Sequence, residues 1–436
     1  MGKSQPRVGQ VSKRIVFDAE LTLRSPGKDA KFRMDGLNIH QMKRCKDIQM
    51  RDTIEPMRTE NAKMVDEMIY LDHNGSTPTH PDAIRAMMPF LTNGYGNPSS
   101  GHWAANPAKT AVEDARARIA KLVGAESSEI VLTSGATEAN NMALMGLFGP
   151  GDLRGKHVIT SAIEHDAVLK PVRALRMQGA KVTIVPADCD GIVDPHTVEA
   201  AITDETRLIS IMTANNEVGT IQPISEIGKI AARHGVSFHT DAAQAAGKIP
   251  LDVHDLGVDF LSLAGHKFGA PNGIGALFIR KGLKLTPLFH GAGHENGRRA
   301  GTETALLAAG LGAAADVAAA KDQTHVRAMR DYFWASLKLA FGNGVVLNGH
   351  PNRRVPNTLS VSFPGHIGAE ILTTMPHVAA TTGSACHAGC VDMSHVLLAM
   401  GKSVEIGIGT IRFSLGSENT MAEIDAVIKA LSKALK

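Results

Sequence analysis

The sequence has few cysteines and no long, strongly apolar run, and both absences limit what the protein can be. Its 436 residues include four cysteines: Cys45, Cys189, Cys386 and Cys390. Their spacing shows no disulfide framework, so we predict a reducing, cytoplasmic location. The longest run of small apolar residues, 305–320, is mostly Ala and Gly and contains Asp316. A membrane span needs about 20 strongly apolar residues, so this run predicts a packed helix and we predict no membrane contact.

The sequence also lacks the features of an exported protein and of a metal centre. The first 66 residues contain no apolar segment of the kind found in a secretory signal. Cys386, His387 and Cys390 resemble a fragment of a metal site, but no second pair with ligand spacing exists. We therefore predict no metal site.

Residues 1–66 differ from the rest of the chain in charge and pattern. Residues 1–63 carry 14 Lys and Arg against 8 Asp and Glu, a net charge of +6, whereas the remainder carries −3. No apolar period is sustained there, so we predict a mobile basic extension. The alternatives are a mitochondrial presequence, which the scattered acidic residues disfavour, a nucleic-acid-binding arm, and a natural start at Met64 or Met68. We predict no nucleic-acid partner.

The remaining residues alternate between strand and helix patterns. Short apolar runs predict strands at 130–133, 157–160, 182–185, 208–212, 236–239 and 259–263. Helical patterns lie between them, which predicts an α/β fold with a mostly parallel, doubly covered sheet. The rhythm changes after about residue 321, and a capping box at 420–423 starts a last helix. We predict a large domain at 86–320 and a smaller α+β domain at 321–436, with 67–85 packing on the smaller one.

Two polar residues end neighbouring predicted strands. Lys267 follows the strand at 259–263, and Asp241 ends the strand at 236–239. A desolvated lysine becomes a nucleophilic amine that forms a Schiff base, and a carboxylate keeps a pyridine nitrogen protonated. Taken alone, Lys267 also fits a surface lysine at the start of a loop.

Three motifs around these residues resemble one family. They are Asp-Ala-Ala-Gln at 241–244, Gly-His-Lys at 265–267 and Gly-Ile-Gly-Ala-Leu-Phe-Ile-Arg at 273–280. The sequence resembles the class V aminotransferases, which are pyridoxal-phosphate enzymes of fold type I, and within them the cysteine desulfurase and selenocysteine lyase branch. The resemblance extends from about residue 69 to the C-terminus. It implies pyridoxal 5′-phosphate on Lys267 and a protonated ring nitrogen beside Asp241.

A predicted strand–helix turn at 134–137 suits a phosphate, because backbone N–H groups at a helix start bind anions. The resemblance implies that Ala136, Thr137 and His266 bind the cofactor phosphate. Ala264 replaces a serine that the family usually has before Gly-His-Lys, which removes one phosphate hydrogen bond. The resemblance also implies that Thr302 reaches the phosphate of a neighbouring subunit, which predicts a homodimer with shared active sites.

The resemblance assigns further residues to the ring and the substrate. His165 stacks on the pyridine ring and passes protons during catalysis. Asn216 lies near the cofactor oxygen and the substrate carboxylate, and Gln244 lies near the ring hydroxyl. Arg412 holds the substrate carboxylate, a task that suits the two-pronged guanidinium group.

The stretch at 381–390 is rich in Gly, Ser and Ala, and we predict a mobile loop. Cys386 on such a loop suits a thiolate nucleophile that attacks sulfur or selenium. The predicted catalytic residues are therefore Lys267, Cys386 and His165.

The predicted function is a cysteine desulfurase that forms L-alanine and a persulfide from L-cysteine. The resemblance implies sulfur transfer to an acceptor or scaffold protein for iron–sulfur clusters or other thio-cofactors. Asp166 and His387 resemble selenocysteine lyase, so L-selenocysteine is the alternative substrate. Another pyridoxal-phosphate aminotransferase, a C–S lyase and a scaffold protein without activity are the remaining alternatives.

Overall fold

The computed structural model describes residues 68–382 and 393–436. The predicted extension at 1–66 and Cys386 lie outside these ranges. The strands are β1 (Ile69–Tyr70), β2 (Ile130–Thr133), β3 (His157–Ser161), β4 (Lys181–Val185), β5 (Thr206–Ser210), β6 (Ser237–Asp241), β7 (Phe260–Ala264), β8 (Gly275–Ile279), β9 (Val346–Asn348), β10 (Thr358–Ser362), β11 (Val378–Ala379) and β12 (Thr410–Ser414). The helices are α1 (Pro81–Thr92), α2 (Asn106–Val123), α3 (Ala136–Phe148), α4 (Asp166–Met177), α5 (Pro195–Ala200), α6 (Ile224–His234), α7 (Val253–Leu256), α8 (Ala305–Ala320), α9 (Thr324–Phe341), α10 (Gly368–Thr373), α11 (His395–Ala399), α12 (Val404–Ile408) and α13 (Met421–Ala434).

The largest sheet in the described part has seven strands in the order β2-β8-β7-β6-β5-β3-β4. Strands β7, β6, β5, β3 and β4 run parallel. Only β8 is antiparallel to both of its neighbours in this sheet. The predicted α/β fold with a mostly parallel sheet is confirmed, and each predicted strand lies within two residues of the observed bounds.

Strand β8 was not predicted as a strand, because the sequence shows it only as part of a Gly-rich motif. It returns beside β7 with Gly275 paired to Ala264. A Cβ on Gly275 would lie 2.3 Å from the Leu263 carbonyl oxygen and 2.7 Å from the Gly135 Cα. Only glycine fits here, and its close contact brings the turn at Gly135 against the end of β7.

Small residues allow helices α8 and α2 to pack closely against each other. Helix α8 matches the predicted packed helix at 305–320, and its Gly312 faces the backbone of Ala115 on α2. On α2, Ala115 and Ile119 are buried as predicted, but Ala111 and Leu122 are only partly buried. The buried stripe is Ala108, Val112, Ala115, Ile119 and Val123, because that spacing follows the helical period more closely. None of the described helices has the length and apolarity that a membrane crossing requires.

A second, smaller apolar core lies around the antiparallel sheet β12-β10-β9. Helices α9 and α13 contribute to it, and Phe333 contacts Phe413 with ring centroids 5.0 Å apart. The first described residues join this core: β1 pairs parallel with β11, and Leu71 is fully buried. The predicted capping box is confirmed, because Thr420 and Glu423 each accept a backbone hydrogen bond from the other residue.

Candidate active site

A cavity of about 510 Å³ lies at the carboxyl ends of the parallel strands, beside the start of α3. Nine of the eleven predicted site residues line it: Ala136, Thr137, His165, Asn216, Asp241, Gln244, His266, Lys267 and Arg412. Thr302 is exposed and does not line this cavity. The eleventh, Cys386, lies outside the described residues. The fold therefore brings together residues that are up to 276 positions apart in the sequence.

Lys267 ends a short helical turn, Gly265–Lys267, directly after β7. Its Nζ donates hydrogen bonds to the backbone oxygens of Asn74, at 2.5 Å, and Gly75, at 2.7 Å. Burial lowers the pKa of Lys267 to about 8, and the charge of Arg412 adds to this effect. The neighbouring Asp241 carboxylate opposes the shift. A lysine with this pKa supplies free amine near neutral pH, as covalent attachment of an aldehyde requires.

Asp241 ends β6, the strand next to β7, and is 5% exposed. Its Oδ2 accepts a hydrogen bond of 2.7 Å from Asn140 Nδ2, and its Oδ1 accepts one of 2.9 Å from the Ala243 backbone N–H. These two donors hold the carboxylate in a fixed orientation at the wall of the cavity. The sequence did not point to Asn140, whose only signal is a polar residue on the buried face of α3.

The turn between β2 and α3 has the geometry of an anion cradle. Gly135 has φ 149°, which favours glycine, and a Cβ built there meets nothing within 4 Å. The open space lies in front of the α3 N-terminus, whose first N–H groups have no partner within the helix. The Ser134 N–H donates to Glu138 Oε2 at 2.7 Å, which steadies the turn from behind. Ala264 also lines the cavity, so the expected serine hydroxyl is absent there.

Arg412, on β12, occupies the opposite side of the cavity. Nη1 donates to the Asn216 backbone oxygen at 2.8 Å, and Nη2 donates to Asp72 Oδ1 at 2.7 Å. Its Nε is buried and has no hydrogen-bond partner among the described residues. Asn216 and Asp72 therefore hold the guanidinium in place at the cavity wall.

The two histidines of the site differ in what they can donate. His165 is the N-cap of α4, and its Nδ1 accepts a hydrogen bond of 3.0 Å from the Ala167 N–H. In the neutral ring the proton is therefore on Nε2. Burial lowers the pKa of His266, and the adjacent Lys267 lowers it further. His266 is thus a neutral donor or acceptor near neutral pH.

The sequence missed the central role of Asn74, which it showed only as part of a turn. The Asn74 backbone oxygen accepts from Lys267 Nζ and, at 2.9 Å, from Gln244 Nε2. Its side-chain Nδ2 donates to the Asn216 backbone oxygen at 3.2 Å and to Thr358 Oγ1 at 2.8 Å. Asn74 therefore connects the cofactor side of the cavity to the smaller core.

The donor set fits pyridoxal 5′-phosphate. An amine of low pKa suits the aldehyde, a buried carboxylate suits the ring nitrogen, and the open turn at Gly135 suits the phosphate. The guanidinium of Arg412 at the cavity wall suits a substrate carboxylate. The fold and this site define a pyridoxal-phosphate-dependent enzyme of fold type I.

The comparisons with known proteins make the identification more specific. Residues 69–427 match the family described as aminotransferase class V, and the chain belongs to that family. The curated relative cysteine desulfurase IscS of Dictyoglomus turgidum is 43% identical over 373 residues, which cover 84% of this chain and 94% of the relative. Cysteine desulfurase IscS of Methanosarcina thermophila is also 43% identical, over 85% of this chain and 93% of the relative.

Solved structures agree with these relatives. A NifS-like protein superposes with a TM-score of 0.78 at 35% identity, and the match covers 84% of this chain and 99% of that one. A structure described as SspA in complex with cysteine has a TM-score of 0.72 at 37% identity, over 80% of this chain and 98% of that one. The predicted family and cofactor are confirmed.

Proposed function

We propose that this protein is a pyridoxal-phosphate-dependent cysteine desulfurase that converts L-cysteine to L-alanine and retains the sulfur as a persulfide. The observation that carries the proposal is the convergence of Lys267, Asp241 and Arg412 on one cavity. Relatives named cysteine desulfurase, each aligned over most of both chains, support cysteine as the substrate.

Each side chain has a role that its contacts support. Bound pyridoxal phosphate supplies an electron sink for the charge that develops on the substrate Cα. Lys267 would hold the cofactor covalently, and its Nζ, when free, would take up the substrate α-proton. Arg412 and Asn216 bind the substrate carboxylate. Asp241 holds a proton on the ring nitrogen through a carboxylate that Asn140 and the Ala243 N–H keep in place.

The remaining predicted residues would bind the cofactor and orient its ring. Ala136, Thr137 and His266 would bind the phosphate, and Gln244 would hold the ring hydroxyl. His165 would cover the ring, and its Nε2 would donate or accept protons because Nδ1 is already engaged with the Ala167 N–H.

We assign the sulfur acceptor on the enzyme to Cys386, which lies outside the described residues. Both sides of its segment border the site. Before it, the backbones of Thr381 and Arg412 pair. After it, Ser394 donates to Glu217 Oε2, and His395 Nε2 contacts the Glu164 backbone oxygen at 2.9 Å. The described residues before and after this segment thus contact Arg412, Glu217 and Glu164, which line the cavity or adjoin residues that line it, and this supports the assignment of Cys386.

The sulfur transfer balances without an added oxidant. The Cys386 thiolate attacks the substrate sulfur, a new S–S bond forms, and the Cβ–S bond breaks. The carbon fragment takes up protons and leaves as L-alanine, while Cys386 keeps a persulfide. We propose that an acceptor protein takes the sulfur for iron–sulfur clusters or other thio-cofactors, and that the enzyme acts in the cytoplasm, as its cysteine usage suggests.

We propose a homodimer with shared sites, and an exposed apolar surface supports it. On α1, Ile84, Met88 and Leu91 form a stripe that is 49%, 47% and 61% exposed. Tyr95 and Trp103, in the chain that follows, are more than 80% exposed. Contiguous apolar side chains of this size mark association surfaces. The His80 N–H at the start of α1 donates to the oxygen of Gly269, two residues after Lys267, which puts one end of this surface close to the site.

The structure weakens one argument for selenocysteine as the substrate. An acid beside the ring histidine would repel a nearby thiolate, which would hamper cysteine more than selenocysteine. Asp166 is exposed, pairs with Lys170 at 2.8 Å and does not line the cavity. Its charge is therefore compensated outside the site. The named relatives also favour cysteine over selenocysteine.

The experiment is a single turnover of the holoenzyme with L-cysteine, without reductant. We expect one L-alanine per persulfide, with the persulfide located on Cys386 by peptide mass spectrometry. Cys386→Ala should keep the bound cofactor but lose sulfur release by at least about 100-fold, because the attacking thiolate is removed. Pyruvate and ammonia in place of alanine would identify a C–S lyase. Undiminished sulfur release in Cys386→Ala would reject the proposal, and release of selenium alone from L-selenocysteine would favour the lyase.

A further inference from the structure

Lys248 is a buried lysine beside the cavity for which the mechanism above has no use. It is 8% exposed. Its Nζ donates to Gln244 Oε1 at 2.6 Å and to Asn74 Oδ1 at 2.8 Å. Among the described residues it forms no ion pair with a carboxylate.

Such a position is unfavourable for a lysine. Burial disfavours the ammonium and lowers the pKa of Lys248, and the positive charges of Lys267, Arg412 and Lys321 lower it further. An apolar residue of similar length would avoid this desolvation cost. The reason for a lysine here must therefore lie in the hydrogen bonds that its amine makes.

Those contacts determine which way two amides point. The Lys248 amine donates to both side-chain oxygens, so Gln244 and Asn74 turn these oxygens towards it. Asn74 Oδ1 also accepts a hydrogen bond of 3.0 Å from Asn357 Nδ2, and Lys248 is the donor that the two amides share. Gln244 Nε2 then faces the Asn74 backbone oxygen, and Asn74 Nδ2 faces the Asn216 backbone oxygen and Thr358. The same Asn74 backbone oxygen also accepts from Lys267 Nζ.

The local backbone favours this arrangement. Gln244 and Lys248 are four residues apart on a helical turn, in which the Lys248 N–H donates to the Ala245 oxygen at 3.0 Å. Side chains at this spacing lie on the same face of a turn. Lys248 and Gln244 therefore reach Asn74 as one unit.

We propose that Lys248 is a positioning residue that fixes the orientation of the Asn74 and Gln244 amides, and thereby keeps the wall around Lys267 closed. The inference rests on the proposed function, in which Lys267 carries the cofactor and Gln244 lies beside its ring hydroxyl. Lys248 itself touches neither the substrate nor the cofactor in this assignment.

A second cavity of about 440 Å³ lies behind this wall and is bordered by both Lys248 and Lys267. Lys267 borders both cavities, so turning the amides opens a path between them and increases the hydration of Lys267. Burial is the largest cause of the low pKa of Lys267, so water entry raises that pKa. The titratable and charged groups that surround the two lysines are Asp72, His73, Asp241, His266, Lys321, Arg412 and Glu418.

The test compares three variants with the wild-type holoenzyme. Lys248→Met removes the donors and keeps the length of the side chain, whereas Lys248→Arg keeps both donors and charge. Lys321→Met is the matched control. Lys321 is exposed, lines the same second cavity and contributes charge, but within the described part of the chain it makes no hydrogen bond to either amide.

The main readout is a pH titration of the absorption band of the bound cofactor at about 400 nm, from which the midpoint is taken. We expect Lys248→Met to raise this midpoint by about one unit, because the site becomes more solvated. Lys248→Arg and Lys321→Met should stay within about 0.3 unit of the wild type. In the same variants, kcat should fall about tenfold for Lys248→Met while KM changes less than about threefold, because Arg412 keeps its contacts.

A second readout does not depend on the cofactor. Competitive labelling of the full-length apoprotein with acetic anhydride, followed by peptide mass spectrometry, gives the pKa of Lys267 directly. It should rise from about 8 in the wild type towards the ordinary lysine value in Lys248→Met. A lower melting temperature with unchanged pKa and unchanged midpoint would show that Lys248 is only structural, and would overturn the proposal.

Borohydride reduction separates this inference from the proposed function. If the cofactor of the wild-type enzyme is fixed on a lysine other than Lys267, the proposed function fails. If it is fixed on Lys267 in both proteins and Lys248→Met titrates like the wild type, only the inference about Lys248 fails.

Discussion

Arg299 donates through Nε to Glu138 Oε1 at 2.8 Å, and the other carboxylate oxygen of Glu138 accepts from the Ser134 N–H at 2.7 Å. Burial raises the pKa of Glu138, but the hydrogen bonds from Arg299 and Ser134 outweigh it and keep the pKa below its usual value. Glu138 is on α3, and Arg299 is three residues before Thr302. The loop that we propose to serve the neighbouring subunit therefore also supports the phosphate turn of its own subunit.

The first prediction tests this support. Arg299→Met leaves the buried Glu138 carboxylate without its cationic partner, which disfavours an anion in the adjacent cradle. We expect the dissociation constant of pyridoxal phosphate to rise about tenfold or more, since charge-assisted hydrogen bonds contribute about 1.5–3 kcal/mol. Arg299→Lys should recover part of the affinity. Spectroscopic titration of apoprotein measures both values, and equal affinity in all three proteins would show that the pair does not support the cradle.

The second prediction concerns the pH dependence of stability. The pKa of Lys267 is about 8 in the folded protein and near the ordinary lysine value in the unfolded chain. The unfolded state therefore binds more protons between these values, so stability rises with pH across this interval and the destabilising effect is complete below about pH 8. Lys267→Met removes this effect. We expect apo Lys267→Met to melt above the wild-type apoprotein at pH 7, and the difference to shrink as pH rises above 8. A constant difference across the range would contradict the assigned pKa.

The third prediction concerns the carboxylate-binding role of Arg412. Arg412→Lys keeps the charge but loses the fork and the unpaired Nε, so kcat/KM for L-cysteine should fall about 100-fold. Cysteamine lacks the carboxylate and serves as the control, because its slow reaction with the enzyme should be nearly unchanged. Steady-state and single-turnover rates measure both. Parallel losses for the two amines would mean that Arg412 acts on the fold of the site and not on the carboxylate.

The fourth prediction concerns assembly. Leu91→Asp places a charge in the exposed apolar stripe of α1 and should shift the protein from dimer to monomer with loss of activity. Leu339→Asp is the control, because Leu339 is 91% exposed on α9, outside that stripe. Light scattering and activity report the outcome, and a fully active, monodisperse wild-type monomer would reject the shared-site dimer.

Mixed dimers test the sharing of sites directly. A dimer of one Lys267→Ala subunit and one Thr302→Val subunit contains one intact composite site if Thr302 acts across the interface. Its activity should then be about half that of the wild-type dimer by subunit counting. Activity no higher than the mean of the two parent dimers would place Thr302 in the site of its own subunit.

Local pattern was enough for much of the fold. Strands at 130–133 and 157–160, the helix at 305–320 and the capping box at Thr420 all follow from apolar spacing and end signals within a few neighbouring residues. Strand β8 and the buried face of α2 were missed or displaced, because each depends on what packs against it. Position 275 requires glycine because the Leu263 carbonyl oxygen and the Gly135 Cα lie too close for a Cβ. No sequence periodicity reveals this contact.

The sequence by itself determined the order of elements, the positions of Lys267 and Asp241 at strand ends, and the family motifs that imply a cofactor. The tertiary structure alone decided how those residues are supported. Lys248 meets Asn74 across 174 positions, and Arg412 meets Asp72 across 340. Hydrogen bonds between such distant residues form only where the large sheet and the smaller core pack together. They leave no periodic signal in the sequence. Three features arise from this packing: the buried amine of Lys248, the unpaired Nε of Arg412 and the low pKa of Lys267. Burial and charge at each of these groups are set by the surrounding atoms and not by sequence neighbours.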